Sequence, residues 1–180
     1  MGIRNKITAG HACFLTLTIV NWVDIFSRPL CKHIIVNSLN YCAKSKELEV
    51  HCWCLMSNHL HLLASAKDEG SMSNILRDFK KFTSKALIQA IQETPESRRD
   101  WMLNLFWYAG KNKKNIKYYK VWQDGNDAKE IDSEDFLDEK VNYIHNNPVR
   151  AELVANPEEY LYSSARDYSG EKGLVEIVMI

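Results

Sequence analysis

Much of what defines other protein classes is missing from this sequence. No apolar run in its 180 residues approaches the roughly 20 needed to cross a bilayer, which argues against a spanning helix. The stretch Met1-Gly2-Ile3-Arg4-Asn5-Lys6 has no hydrophobic h-region, and Lys6 stands where myristoylation requires Ser or Thr. Neither export nor a lipid anchor is expected. Cys-x-x-Cys spacing is absent. Cys13, Cys31, Cys42, Cys52 and Cys54 are odd in number, which argues against a disulfide framework or a zinc knuckle. They read as small buried hydrophobes in a reducing compartment, so a cytoplasmic protein without a membrane partner is expected. There is no repeat, low-complexity tract or domain boundary. The length suits one domain spanning 1–180, with a core over about 10–150 and an aromatic, partly irregular extension over 151–180.

Net charge is also lacking, with 23 basic and 23 acidic residues. The charges are nevertheless unevenly placed. Residues 77–120 hold eleven basic side chains against four acidic ones, and residues 121–180 carry an acidic excess. A basic middle and an acidic tail predict one electropositive face, although such patches are often only solvated surface.

Residues 12–20 are β-branched and aromatic and predict a first strand. From Pro29 to Lys44 the apolar residues Leu30, Ile34, Ile35, Leu39 and Tyr41 predict a helix. Strands over Leu48–Met56 and His59–Ala66 follow, antiparallel about the break at Ser57-Asn58. Ser71–Ile91 predicts a long amphipathic helix with Met72, Ile75, Leu76, Phe79, Phe82 and Ala86 on its apolar stripe. The order strand–helix–strand–strand–helix is most of a ferredoxin-like split β-α-β unit, an α+β class with an antiparallel sheet, and a strand near Tyr118–Trp122 would complete it. A helix over Trp101–Tyr108 leads to the basic loop Gly110–Asn115. Asp132 or Ser133 caps an added C-terminal helix reaching about Asn147, with Leu137, Val141 and Ile144 facing the core and Pro148 at its end.

His59 and His61 stand at i and i+2 on the third predicted strand. Side chains alternate along a strand, so both imidazoles face one way while Leu60 and Leu62 face the other. Two imidazoles on one face form a clamp for a divalent metal. A pair of half-buried histidines satisfied by backbone or water has the same spacing. Tyr143 and Asn147 lie one turn apart on the last helix, with Lys140 one turn before Tyr143. A phenol there can attack a phosphodiester while a carboxamide gives the metal a third, oxygen ligand. An ordinary phenol has a pKa near about 10 and needs help to ionise, from the metal or from Lys140. Alternatively, Tyr143 packs on the sheet and Asn147 caps the helix.

The stretch Met56-Ser57-Asn58-His59-Leu60-His61-Leu62-Leu63 closely resembles the HUH signature of single-tyrosine, IS200-like transposases. Tyr143-Ile144-His145-Asn146-Asn147-Pro148-Val149-Arg150-Ala151 resembles the tyrosine-helix signature of their REP-associated branch. Phe79–Ser84, Pro157–Tyr160 and Tyr162–Tyr168 match that branch too, in order, so the similarity spans about residues 10–170. The resemblance implies an enzyme, a transposase that cleaves hairpin-flanked single-stranded DNA with Mg²⁺ or Mn²⁺. It forms a 5′-phosphotyrosine and rejoins strands without ATP. The family is usually dimeric, so a homodimer is expected. By position, His59 and His61 are metal ligands, Asn147 is the third, and Tyr143 is the nucleophile. Asn147 departs from the glutamine of the related insertion-sequence branch.

Lys80, Lys81, Lys111, Lys113 and Lys114 are the expected phosphate contacts, setting affinity without reading sequence. Tyr118 and Tyr119 suit base stacking, as do Trp107, Tyr108 and Trp122, although large aromatics are more often core. His145 is expected at the surface or behind the ligands. His11, His33 and His51 are read as structural, and Cys52 and Cys54 as packing residues. Two rivals remain in view: a domesticated protein that holds hairpin DNA or RNA without cutting it, and a hydrolase that activates water with no covalent adduct.

Overall fold

A computed structural model describes residues 11–66, 71–111 and 118–180. Among these, strands β1 (Cys13–Thr18), β2 (Leu48–Leu55), β3 (His59–Ala66) and β4 (Lys129–Glu130) form one sheet in the order β2-β3-β1-β4, every neighbouring pair antiparallel. Helix α1 (Pro29–Ser45) joins β1 to β2. After β3 come α2 (Ser71–Glu93) and α3 (Arg99–Gly110), then β4. That strand order with these crossovers is the expected ferredoxin-like architecture. None of the described helices is long and apolar enough to cross a membrane.

Alternation along the strands sorts the side chains into two layers. Leu15, Leu17, Leu60, Leu62, Trp53 and Leu55 point to the face covered by α1 and α2, each at most 1% exposed. Burying each aliphatic side chain there contributes about 1.5–3 kcal/mol relative to leaving it in water. The opposite face carries Phe14, Cys52, Cys54, Met56 and Leu63, on which Ile144 packs. Ile144 belongs to the added helix α4 (Glu134–His145), so the sheet is sandwiched and the histidine face lies toward α4.

Local chemistry explains most boundaries. Pro29 sits in the first turn of α1, after an extended Arg28. The Ser133 hydroxyl accepts the Phe136 N–H at 3.3 Å, and Glu134 and Asp135 complement the positive end of α4. That helix stops at His145, two residues before the expected end. Asn146 forms a turn, and a short helix α5 (Asn147–Arg150) continues with Pro148 near its start.

Three expectations change. The strand completing the sheet is Lys129–Glu130, not Tyr118–Trp122. Trp122 makes a single bridge to Ile19, and past Gln123 the chain runs irregularly along β1, where the Thr16 N–H donates to Asn126 O at 2.8 Å, before strand pairing resumes at Lys129. Gly125 (φ +80°) and Asp127 (φ +42°) supply the left-handed backbone for that irregular run. Trp122 is core, and its indole N–H donates to Thr83 Oγ1 at 2.9 Å. On α2, Thr83 takes the buried place expected of Phe82, which is 63% exposed, and on α1 Leu30 and Tyr41 face outward.

The extension over 151–180 covers the open edge of β2. The Leu55 N–H donates to Tyr162 O, the Ser164 N–H to Trp53 O and the Val178 N–H to Val50 O. Short turns at Pro157–Glu159 and a helix α6 (Ala165–Tyr168) interrupt it. The cover satisfies backbone groups that would otherwise invite edge-to-edge pairing.

Candidate metal and tyrosine site

The two histidines stand where the β2–β3 hairpin turns, closed by the Met56 N–H donating to His59 O at 2.9 Å. Their rings lie 4.6 Å apart between centroids on the α4 face. Each Nδ1 has an oxygen partner: Asn58 Oδ1 at 2.6 Å from His59 and Thr16 Oγ1 at 3.1 Å from His61. With Nδ1–H donating to those oxygens, each Nε2 presents a lone pair. This is how metal-binding imidazoles are oriented. Burial pushes the His61 pKa down to about 3, with the neighbouring His59 charge adding to it, and burial lowers His59 as well. Both rings are therefore neutral at pH 7, the form that binds metal.

His61 is 3% exposed, and its Nε2 is buried without a hydrogen-bond partner. An orphaned buried nitrogen is costly in a finished core, by about 1–3 kcal/mol. Coordination to a cation would relieve that cost, so the residues fit a divalent metal.

Tyr143 comes to the same place from α4. Its ring packs edge-on against His61 (5.2 Å) and Phe14 (5.9 Å). Lys140 Nζ lies 5.9 Å from the Tyr143 ring centroid, as expected for a neighbouring cation, and 2.6 Å from Glu139. Arg150 lies 5.3 Å from the same centroid. Its place seven residues after Tyr143, two helical turns along, was the available sequence signal. Asn147 opens α5 one turn beyond Tyr143, half-buried, with its carbonyl accepting the Ala151 N–H.

His145 corrects the surface expectation. It is 8% exposed, with Nε2 2.9 Å from Ser164 Oγ and 3.1 Å from Cys52 Sγ, and burial pushes its pKa down to about 4. Ser164 also accepts the Trp53 N–H at 2.9 Å. This cluster ties the end of α4, two residues past Tyr143, to β2 and the C-terminal cover. Burial pushes the Cys52 thiol up to about 12 and raises Cys54 as well, so both are inert packing groups. His51 bridges Val178 O and Ser65 Oγ, and His11 pairs with Glu130.

The basic segment supplies fewer surface cations than its sequence suggests. Lys80 donates to Gln123 O at 3.2 Å and Gly125 O at 2.6 Å, and burial lowers its pKa to about 8. Arg98 pairs with Asp24 and Glu96, Arg99 donates to Ile91 O and Thr94 O, and Lys120 pairs with Asp124. Lys81 is exposed. Lys111 lies 4.9 Å from the centroid of the exposed Trp107. Lys113 and Lys114 lie outside the described residues. Lys80→Ala is therefore expected to destabilise the fold by about 1.5–3 kcal/mol, the scale of a hydrogen bond from a charged donor. The salt slope of DNA binding should stay unchanged. Denaturant melts and affinity against salt check this, and a slope reduced by about one would return Lys80 to the phosphate contacts.

No curated protein sequence matches the chain. Its fold matches the solved structure of a REP-associated tyrosine transposase bound to a REP hairpin, with a TM-score of 0.61 at 18% identity over 99% of this chain and 92% of that one. A protein from Deinococcus radiodurans R1 assigned as a transposase gives a TM-score of 0.47 at 13% identity, over 81% of this chain and 96% of that one. Residues 17–147, which include the histidine pair, Tyr143 and Asn147, match the family described as IS200-like transposase, and to that family the chain belongs.

Proposed function

We propose that this transposase cleaves and rejoins hairpin-flanked single-stranded DNA through a 5′-phosphotyrosine at Tyr143. The observation that carries the reading is the packing of the Tyr143 ring against His61, whose buried Nε2 has no protein partner. The REP hairpin bound to the matched structure supports a hairpin substrate.

His59 and His61 would hold a divalent cation, Mg²⁺ or Mn²⁺, through their Nε2 atoms. Among the described residues no group of three His, Cys, Asp or Glu side chains suits a metal, so a third ligand drawn from them is of another type. The Asn147 carboxamide oxygen, one turn past Tyr143, is our assignment. When bound, the cation supplies Lewis-acid polarisation of the scissile phosphate.

The chain's own groups do the rest. Tyr143 Oη gives up its proton and attacks phosphorus, the O–P bond forms, the bond to the 3′-oxygen breaks, and that oxygen takes up a proton to leave as a 3′-hydroxyl. Lys140 and Arg150 put positive charge beside the ring while negative charge gathers on the phenol oxygen and phosphate. In the second step a 3′-hydroxyl attacks the phosphotyrosine and regenerates the phenol, so one phosphodiester is exchanged for another and no ATP is needed. Tyr143 and His61 meet within one chain, which supports attack in cis; a homodimer is not required to bring them together. Lys81 and Lys111 remain our phosphate contacts. Lys113 and Lys114 join them on charge alone.

The test is a denaturing gel of the chain incubated with labelled hairpin oligonucleotides of varied flank. A covalent protein–DNA band is expected with Mn²⁺ or Mg²⁺, and it should vanish in excess EDTA and return on adding metal. Metal-independent hairpin binding with no adduct across the panel would favour the non-cleaving rival, and metal-dependent cleavage without an adduct the hydrolase.

A further inference from the structure

We infer that Trp22 is a stacking platform for an unpaired DNA base next to the scissile phosphate, locked to the metal-binding pair by Asn58. The inference rests on the proposed single-strand reaction and adds a substrate contact to it.

The indole is 60% exposed, whereas Trp53 and Trp122 are core. Its backbone is unusual. Asn21 and Trp22 both have φ +54°, two consecutive non-glycine residues in the left-handed region. A bulky aromatic is poorly suited to that conformation, and two such residues in succession persist only where the surroundings hold them. Here they do. Val20, Val23, Ile25 and Phe26 are buried on either side. The Trp22 N–H donates to Ile19 O at 3.0 Å and the Val20 N–H to Val121 O at 2.8 Å. The Ile19 N–H donates to Asn58 O and the Phe26 N–H to Ser57 O, both at 2.9 Å. The turn is thus stitched to the hairpin that carries the histidines, and only its tip projects.

One side chain joins this tip to the reacting centre. The Asn58 carboxamide oxygen accepts from His59 Nδ1, and its Nδ2 donates to the Trp22 carbonyl at 3.2 Å. The indole and His59 rings meet at 74° with centroids 6.1 Å apart. A phosphate at the histidine pair would therefore have an aromatic ring at its side, on a backbone held in place. Every base has a π-face, so stacking there places the strand while tolerating sequence. No core demand accounts for an exposed indole in a strained turn, and a glycine would relax that backbone.

The experiment measures equilibrium binding of the full chain to a labelled GC-rich DNA hairpin with a single-stranded flank, and to the same hairpin without one. Wild type, Trp22→Ala and Trp22→Phe are compared. Loss of one stacked base predicts that Trp22→Ala binds the flanked hairpin about 5- to 150-fold more weakly. Binding to the unflanked hairpin should be unchanged, and Trp22→Phe should recover most of the loss. Scanning abasic sites through the flank should reveal one position that costs wild type a similar factor and costs Trp22→Ala almost nothing further. Equal binding by Trp22→Ala and wild type would overturn the inference, as would an equal loss on both hairpins or no preference of wild type for the flank. The tyrosine reading is scored separately, by covalent bands on the same oligonucleotides. Flank binding through Trp22 without adducts would retain the platform and remove the nucleophile, and the reverse pattern would remove only the platform.

Discussion

Tyr143→Phe is expected to abolish the covalent protein–DNA band and to reduce strand cleavage by at least about 10⁴-fold, the order seen when a covalent nucleophile is removed from an enzyme. The substitution deletes one oxygen and retains the ring. The edge-on contacts with His61 and Phe14, and the approach of Lys140 and Arg150, are made to that ring, so phenylalanine can keep them. Stability should therefore change by less than about 1 kcal/mol, and hairpin affinity by less than about twofold. This combination separates chemistry from folding. Denaturing gels read the adduct, gel shifts the binding, and thermal melts the fold. A persistent, metal-dependent band in Tyr143→Phe would sink the assignment and direct attention to Tyr118 or Tyr119. Unaltered biological activity without any adduct in wild type would point to the non-cleaving rival.

The sheet and the histidine pair were legible because period-two alternation is a local property. His-x-His on a strand, with Leu60 and Leu62 opposed, leaves one arrangement once one face is buried. The tyrosine helix was legible for a similar reason, since Leu137, Val141 and Ile144 fix which face meets the sheet. What failed to show locally was long-range. Trp122 has the composition of a strand residue, yet its indole is claimed by Thr83, 39 residues away in sequence, and the edge strand forms later. Lys80 looked like a surface cation because a charge count cannot register the two carbonyls that fold back over it. Phe82 fits the helical period of α2, but tertiary packing buries Thr83 in its place.

The supports of the site were hidden for the same reason. Thr16 orients His61 only because antiparallel pairing sets β1 opposite β3 in that register. Ser164 reaches His145 from a segment that looked irregular in sequence. Asn58 was the most accessible of these, being adjacent to His59 at the hairpin turn. Its second bond, to Trp22, needed the fold. Arg150 had an available signal in its helical spacing from Tyr143, although the turn at Asn146 intervenes.

His61→Leu is expected to eliminate metal-dependent cleavage and, in metal-free buffer at pH 7, to stabilise the fold by about 1 kcal/mol. Removing the buried, unpartnered Nε2 recovers about 1–3 kcal/mol of desolvation, against the loss of one hydrogen bond to Thr16 of about 0.5–1.5 kcal/mol. The pH dependence gives a second, independent reading. The folded pKa of His61, about 3, lies below its unfolded value of 6.5, so between those values the unfolded chain binds more protons. Wild-type stability must therefore fall as pH drops below about 6.5, and by pH 5 this one group accounts for up to about 2 kcal/mol. His61→Leu should lack that component, retain the weaker one from His145, and show an advantage over wild type that is larger at pH 5 than at pH 7 and keeps growing toward pH 3. Metal should raise the melting temperature of wild type and leave the variant unmoved, because only the wild type gains from binding in the folded state. Denaturant melts at pH 7 and pH 5, with EDTA and with Mn²⁺, measure all three effects. A variant less stable than wild type at both pH values would mean that His61 is an ordinary packing residue. A more stable, inactive variant would mean that the fold keeps an unfavourable buried nitrogen because the reaction requires it.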